Sequence, residues 1–284
     1  MEGGQRWVIG LDLLPGSRGP LWVGVWLRSS SPPALCVAAH VVEGGASAEV
    51  AGAARARLDG WIAEAGAAGV FDVSEVLAAA NPERGLVDAM AAHQATGIVI
   101  GRWSRRAETS LVRLGRVARR LLRDLPGPVI VTPPDLEASQ LDGPILLATD
   151  LAASSTTAAR FAVTLAARLG RPLVAVHVEV PVSGVASDVP ERDRPVLRAQ
   201  EERLVRERAE AWAREHLPPG VEVVIEAGGV ADRLLAVQAG LRAAMVVVGS
   251  RQLSLVARIF GSSLASGLAA VAPSPVAVVP PSRA

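Results

Sequence analysis

The chain has 284 residues, half of them apolar and a fifth charged, which excludes a disordered chain and leaves room for two domains of ordinary size. A net charge of +1 excludes the strongly basic field of a general nucleic-acid binder, and a single cysteine excludes an internal disulfide or a paired-cysteine metal site. Every basic side chain is arginine, so a phosphate loop of the Walker type, which needs lysine, is excluded as well.

The N-terminal MEGGQRW lacks the charged-then-apolar layout of a signal peptide, and no apolar run reaches the ~18 residues of a membrane span, so a cytoplasmic protein is expected. The first predicted element is WVIGLD (7–12), a buried strand closing on Asp12. The stretch LPGSRGPLWVGVWLRSSSPP follows. Pro20 and Gly24 predict only a short helix or a strand-like segment there. If it is a helix, Trp22 and Trp26 share a face and read as core packing. CVAAHVV (36–42) predicts a second strand, with Cys36 as a small buried hydrophobe and His40 near its end. Asn81-Pro82 opens a helix, with Asn as cap and Pro in the first turn, and the strand after it closes at Gly101. In AETSLVRLGRVARRLLRD (107–124) apolar residues recur every three or four positions. That pattern fits one continuous helix, or a loop and helix with Arg116 facing an anion. GPVIVTPP (127–134) is the next strand, and PPDLEASQLDG (133–143) is a proline-opened polar linker.

Beyond the linker the pattern is regular. Strands are predicted at 145–149, 172–178, 221–226, 244–248 and 275–279. Helices are predicted at 154–169, 192–215, 230–242 and 262–271. The charged run 191–216 has opposite charges three or four apart and reads as a solvated helix face.

The two halves repeat each other. NPERGLVDAMAAHQATGIVIGRWS (81–104) aligns without a gap on GVADRLLAVQAGLRAAMVVVGSRQ (229–252). WVIGLD matches PILLATD (144–150), CVAAHVV matches VAVHVEV (174–180), and GPVIVTPP matches SPVAVVPP (274–281). Two tandem units are therefore expected, over 1–135 and 143–284. Each is an α/β doubly wound domain with a five-stranded parallel sheet. In such sheets ligands sit at the carboxyl ends of the strands, where Asp150 and Gly249 fall. His40 and His177 hold equivalent strand positions, which argues for a role in the fold of the unit.

The stretch MVVVGSRQLSLVARIFGSS (245–263) reads as strand, loop, small residues and helix, the layout of a phosphate cradle. With the strand-end aspartates, the His-Val strands and the Pro-Ser-Pro-Val ending, it makes the chain resemble a tandem universal stress protein of the UspA-like family. That resemblance implies the adenine nucleotide α-hydrolase-like fold, and in nucleotide-binding members ATP accompanied by Mg²⁺. Carried onto this chain, it assigns Asp150 to the nucleoside, Val176 and Val178 to the adenine side, and Gly249, Arg251, Gly261, Ser262 and Ser263 to the phosphates. The second glycine of the family pattern is Gln252 here. The Gly-Ser/Thr pair is either Ser262-Ser263 or, with a one-residue slip, Gly261-Ser262. In the first half Ser104 stands at the second glycine position and Arg116 at the Ser/Thr position, so that site is expected to be degenerate. The family also pairs the last strands of two units across a two-fold axis. The resemblance therefore implies an intramolecular pseudo-dimer, Val129–Val131 against Val276–Val278, with further homo-oligomerisation open. Two functions stay open. One is a stress-response module binding an adenine nucleotide in the second half, with at most slow ATP hydrolysis. The other is a scaffold acting through its surface, with both phosphate loops lapsed.

Overall fold

The computed structural model describes residues 5–14, 18–44, 47–102, 114–180, 193–250 and 264–282. The first half contains β1 (Arg6–Gly10), α1 (Gly19–Arg28), β2 (Leu35–Glu43), α2 (Ala48–Glu64), β3 (Val73–Ala79), α3 (Pro82–Ala92), β4 (Gly97–Gly101), α4 (Arg116–Arg123) and β5 (Val129–Thr132). The second half contains β6 (Ile145–Thr149), α5 (Thr156–Leu169), β7 (Leu173–Glu179), α6 (Arg194–His216), β8 (Glu222–Ala227), α7 (Val230–Leu241), β9 (Met245–Gly249), α8 (Leu264–Val271) and β10 (Val276–Val279). Strands and helices alternate along the chain, as a doubly wound α/β fold requires.

All strand pairings within each half are parallel: β3-β2-β1-β4-β5 in the first and β10-β9-β6-β7-β8 in the second. The two sheets are not separate bodies, as two independent five-stranded domains would be. β5 and β10 pair antiparallel, with Val276 opposite Val131, Ala277 opposite Ile130 and Val278 opposite Val129, and the result is one ten-stranded sheet. The expected contact of Val129–Val131 with Val276–Val278 is thus a hydrogen-bonded ladder. The reason lies in the two sequences, PVIVTPP and PVAVVPP. Each is a short apolar terminal strand whose edge would otherwise stay unpaired.

The sheet is covered on both faces, and strand residues alternate between them with period two. Trp7, Ile9, Val99, Ile130, Ala277 and Leu147 face the layer of α1, α2, α5 and α6. Val8, Ile98, Ile100, Val131, Val276 and Val248 face the layer of α3, α4, α7 and α8. Cys36 is fully buried in the first of these layers, and burial, with Asp72 nearby, pushes its thiol pKa up to about 12.

Capping follows the sequence. Asn81 accepts a hydrogen bond from the Arg84 N–H at the start of α3, and Ser47 does the same for Val50 at α2. Gly170 ends α5 in the left-handed conformation. α1 is a genuine helix of 10 residues against 14 for its counterpart α5, so the strand-like alternative is excluded. Its start is pinned to the end of β5, since a Cβ on Gly19 would collide with the Pro133 carbonyl. Trp26 is buried and Trp22 packs against the same core, the packing role expected of both.

Of the two readings of 107–124, the continuous helix is excluded, because the chain is not helical at Gly115. Gly115 is extended (φ −62°, ψ 166°) and acts as N-cap, so α4 begins at Arg116. Glycine has no side chain to add helical contacts, and the chain uses it to break the apolar periodicity at Leu114. Residues 103–113 lie outside the described residues.

Candidate functional site at the strand ends

The site is built around a turn present in both halves. Past β1, Asp12 accepts a hydrogen bond on Oδ1 from the Leu14 N–H at 3.1 Å. Past β6, Asp150 accepts one on Oδ1 from the Ala152 N–H, also at 3.1 Å. The aspartate side chain thus mimics a backbone turn. Between the bonded residues sit Leu13 and Leu151, both at φ 57°. A left-handed leucine costs roughly 1–2 kcal/mol, because its Cβ crowds the following carbonyl. The same strained conformation therefore recurs at equivalent positions of two halves whose local sequences differ.

The histidines hold this turn from the neighbouring strand. His40 Nδ1 donates to the Leu11 carbonyl at 2.7 Å, and His177 Nδ1 donates to the Thr149 carbonyl at 3.0 Å. Each imidazole fixes the carbonyl just before its aspartate, which is the fold role expected from their equivalent positions. Nε2 of His177 also faces Glu179 Oε2 at 3.2 Å.

In the second half, β6, β7 and β9 are neighbours, which brings Asp150, Val176, Val178 and Gly249 to one margin of the sheet. Val176 and Val178 are buried in the layer that includes α7 and α8. Gly249 leaves room where a Cβ would stand 3.5 Å from the Ser154 carbonyl. Ser154 and Ser155 close on Asp150. Ser155 Oγ donates to Oδ1 at 2.6 Å, Ser154 Oγ donates to Oδ2 at 3.1 Å, and the Asp150 N–H donates back to Ser155 Oγ at 3.3 Å. The sequence analysis does not single out these serines, although Asp-x-x-x-Ser-Ser is a visible spacing for a side chain capped by its own loop. Arg251, Gly261, Ser262 and Ser263, and with them Gln252, lie outside the described residues.

The first half, expected to be degenerate, holds a cavity of about 640 Å³ at the ends of β1, β2 and β4. Asp12, His40, Glu43 and Arg116 supply its polar lining, and Val41, Leu86, Ile100 and Val117 are among its apolar walls. Arg116, in the first turn of α4, is ion-paired with Glu43 at the end of β2, and Arg120 one turn later is ion-paired with Glu83. Burial alone would raise the Glu83 carboxyl. The hydrogen bond from Arg120 and the charges of Arg120 and Arg116 outweigh it and hold the group below its ordinary value. A second hollow, about 700 Å³, lies between α6 and the edge strand β8, away from the strand-end turns. Among the described residues no group of three or more His, Cys, Asp or Glu could hold a metal ion, and no helix is long and apolar enough to cross a membrane.

The fold is a doubly wound half with an aspartate turn at its strand ends, repeated once and joined through its last strand. The chain belongs to the universal stress protein family, whose model matches residues 28–133 and 143–280. Over its whole length it is similar to the crystal structure of a universal stress protein from Archaeoglobus fulgidus DSM 4304. That match has 20% identity and a TM-score of 0.65, covering 97% of this chain and 98% of that one. It is also similar to a functionally unknown protein from Pseudomonas aeruginosa PAO1, with 15% identity and a TM-score of 0.70, covering 98% and 93%. At these identities the likeness is one of fold. A universal stress protein solved in complex with cAMP aligns with half of the chain, at 22% identity and a TM-score of 0.37 over 50% of this chain and 99% of that one. No curated protein matches the chain.

Proposed function

We propose that the chain is a cytoplasmic regulatory module that binds an adenine nucleotide at the strand ends of its second half. The observation that carries this reading is the left-handed leucine beside a turn-forming aspartate in both halves. Such strain persists where the surrounding structure over-determines it, and it clusters at ligand sites. Asp150 would accept from the ribose, and the strand end around Val176 and Val178 would border the base. The backbone at Gly249, with Arg251, Gly261, Ser262 and Ser263, would take the phosphates. A magnesium ion would then be held chiefly by phosphate oxygens and water, as that ion prefers. Asp150 already receives two serine hydroxyls and a backbone N–H. It is a positioned acceptor rather than a base ready to take a proton, so the reading is binding, not rapid turnover.

One observation favours the second reading, a scaffold that acts through its surface. A carboxylate has about four acceptor sites, and three donors onto Asp150 leave little capacity for ribose hydroxyls unless a serine swings away. Titration calorimetry with Mg-ATP separates the two. Binding at one site per chain that is lost in Asp150→Ala supports the nucleotide module. An absence of heat at millimolar ATP, with no adenine released on acid denaturation of purified protein, supports the scaffold.

A further inference from the structure

We propose that the hollow between α6 and the edge strand β8 is a docking groove for an extended segment of a partner protein, added to the sheet as a further strand in which basic and apolar residues alternate. The groove lies on a different face from the strand-end turns, and the proposal does not require the chain to bind a nucleotide.

β8 ends the strand order, and among the described residues no strand pairs with its outer side. The Gly228 N–H donates to the Glu179 carbonyl at 2.9 Å where the β7–β8 ladder closes. Backbone groups point alternately to the two sides of a strand, so the even-numbered residues of β8 bond inward to β7. The N–H and C=O groups of Val223 and Ile225 then face outward, a template for an added strand.

The side chains of the same two residues, with Val221, line a hollow of about 700 Å³ whose other wall is α6. The room comes from Ala209 and Ala213, one turn apart on α6, while Trp212 between them is buried in the core. An edge strand, a facing helix and apolar space between them can take alternate side chains of an added strand. Arg206, Glu210 and Arg214 also line the hollow and leave it one net positive charge, so it favours apolar side chains over basic ones.

The other face of β8 has the opposite preference. Glu222, Val224 and Glu226 alternate with the hollow-lining residues, and Glu222 is exposed and Glu226 half-buried. In an antiparallel addition their partners are the pairs without hydrogen bonds, whose side chains stand closest. A lysine or arginine there meets a carboxylate at each end of the strand. Opposite Glu226 through Glu222, the fitting order is therefore basic, apolar, neutral, apolar, basic. A second copy of this chain fits worse. Two β8 strands paired about Val224 set Glu222 of each copy opposite Glu226 of the other, and like charges directly opposite destabilise.

The test uses the full chain and the fluorescein-labelled peptide Ser-Lys-Val-Thr-Val-Lys-Ser, followed by fluorescence anisotropy. Exchanging both lysines for glutamates should weaken binding about tenfold, and in Glu222→Lys/Glu226→Lys the glutamate peptide should bind the tighter of the two. N-methylation at both valines removes the N–H groups that meet Val223 and Ile225 and should abolish binding. N-methylation at the threonine, whose N–H points away from β8, should leave affinity within about twofold. Circular dichroism melts confirm that the double variant folds, and the N-methylated peptides need no variant. Equal effects of the two N-methylations would reduce the contact to charge attraction and overturn the proposal. So would an unreversed preference in the double variant, or no binding at millimolar peptide. A dimer in sedimentation equilibrium that the peptide neither binds nor disperses would give the edge to a second copy, and would overturn it too.

Discussion

Arg102, at the end of the first-half strand β4, donates a hydrogen bond from Nη2 to the carbonyl of Ala272, just past α8 of the second half. The arginine is 7% exposed, its Nε has no partner among the described residues, and burial pulls its pKa down against an opposing effect of Asp135. A buried cation held by one carbonyl of the other half is a strut between them. Arg102→Met keeps the apolar stem but strands the Ala272 carbonyl. It should cost about 1–3 kcal/mol in chemical denaturation. A stability unchanged within 0.5 kcal/mol, roughly the scatter of surface changes, would show that the bond contributes nothing.

The β5–β10 ladder should make the halves unfold together. Val129, Val131, Val276 and Val278 are each at most 1% exposed, and burying one valine contributes roughly 1.5–3 kcal/mol. Val278→Asp would place a carboxylate opposite Val129, and a cost of about 4 kcal/mol or more is expected. Thermal unfolding followed by calorimetry should show one transition moved down. Two transitions, one of them at the wild-type temperature, would contradict the coupling.

The two left-handed leucines should respond unequally to glycine. Relief of the strain is worth about 1 kcal/mol at either position. Leu13 is 4% exposed in the core, so Leu13→Gly also forfeits roughly 1.5–3 kcal/mol of burial and should destabilise overall. Leu151 is only partly buried, and Leu151→Gly should fall within about 1 kcal/mol of wild type. Urea midpoints of the two variants give the comparison directly, and equal losses would mean that burial is not the distinguishing term.

Acid stability should depend on Glu83. Its carboxyl lies below the ordinary value of 4.5 in the folded chain, so the stabilisation is present above that value and disappears as the pH falls through the lower folded value. Glu83→Gln removes the titrating group. The acid limb of a stability–pH curve below about pH 4.5 should then be flatter than in wild type. An identical limb would assign the acid transition to other carboxylates.

The fold was legible because its signals are local and repeated. The strand-end aspartates, the paired histidines and the two proline-flanked last strands each occur twice at matching positions, and the parallel order of five strands that they imply is observed within each half. The fusion into ten strands was half legible, since the contact of Val129–Val131 with Val276–Val278 follows from unpaired apolar edges, yet two separate sheets were also expected. The start of α4 was not decided by the sequence because apolar periodicity runs on through Leu114, while the break is carried by one backbone conformation at Gly115. The first-half cavity was invisible in sequence. The ion pair on its lining joins residues 43 and 116, whose proximity follows from β2 and α4 meeting at the same sheet margin, not from any spacing along the chain.

The antiparallel centre of the sheet has one more consequence. A unit whose last strand is exposed can pair with any other copy of itself, so its dimers mix and every copy must serve every partner. Here β5 finds β10 on its own chain, and the partner is fixed by synthesis. A substitution in one half always meets the same other half, never a population of them. One half can then drift while the other is preserved, and no mixed assembly dilutes the difference. Because the strands of the two halves run in opposite directions, their strand-end turns open at opposite margins of the sheet, and a change at one margin leaves the other untouched.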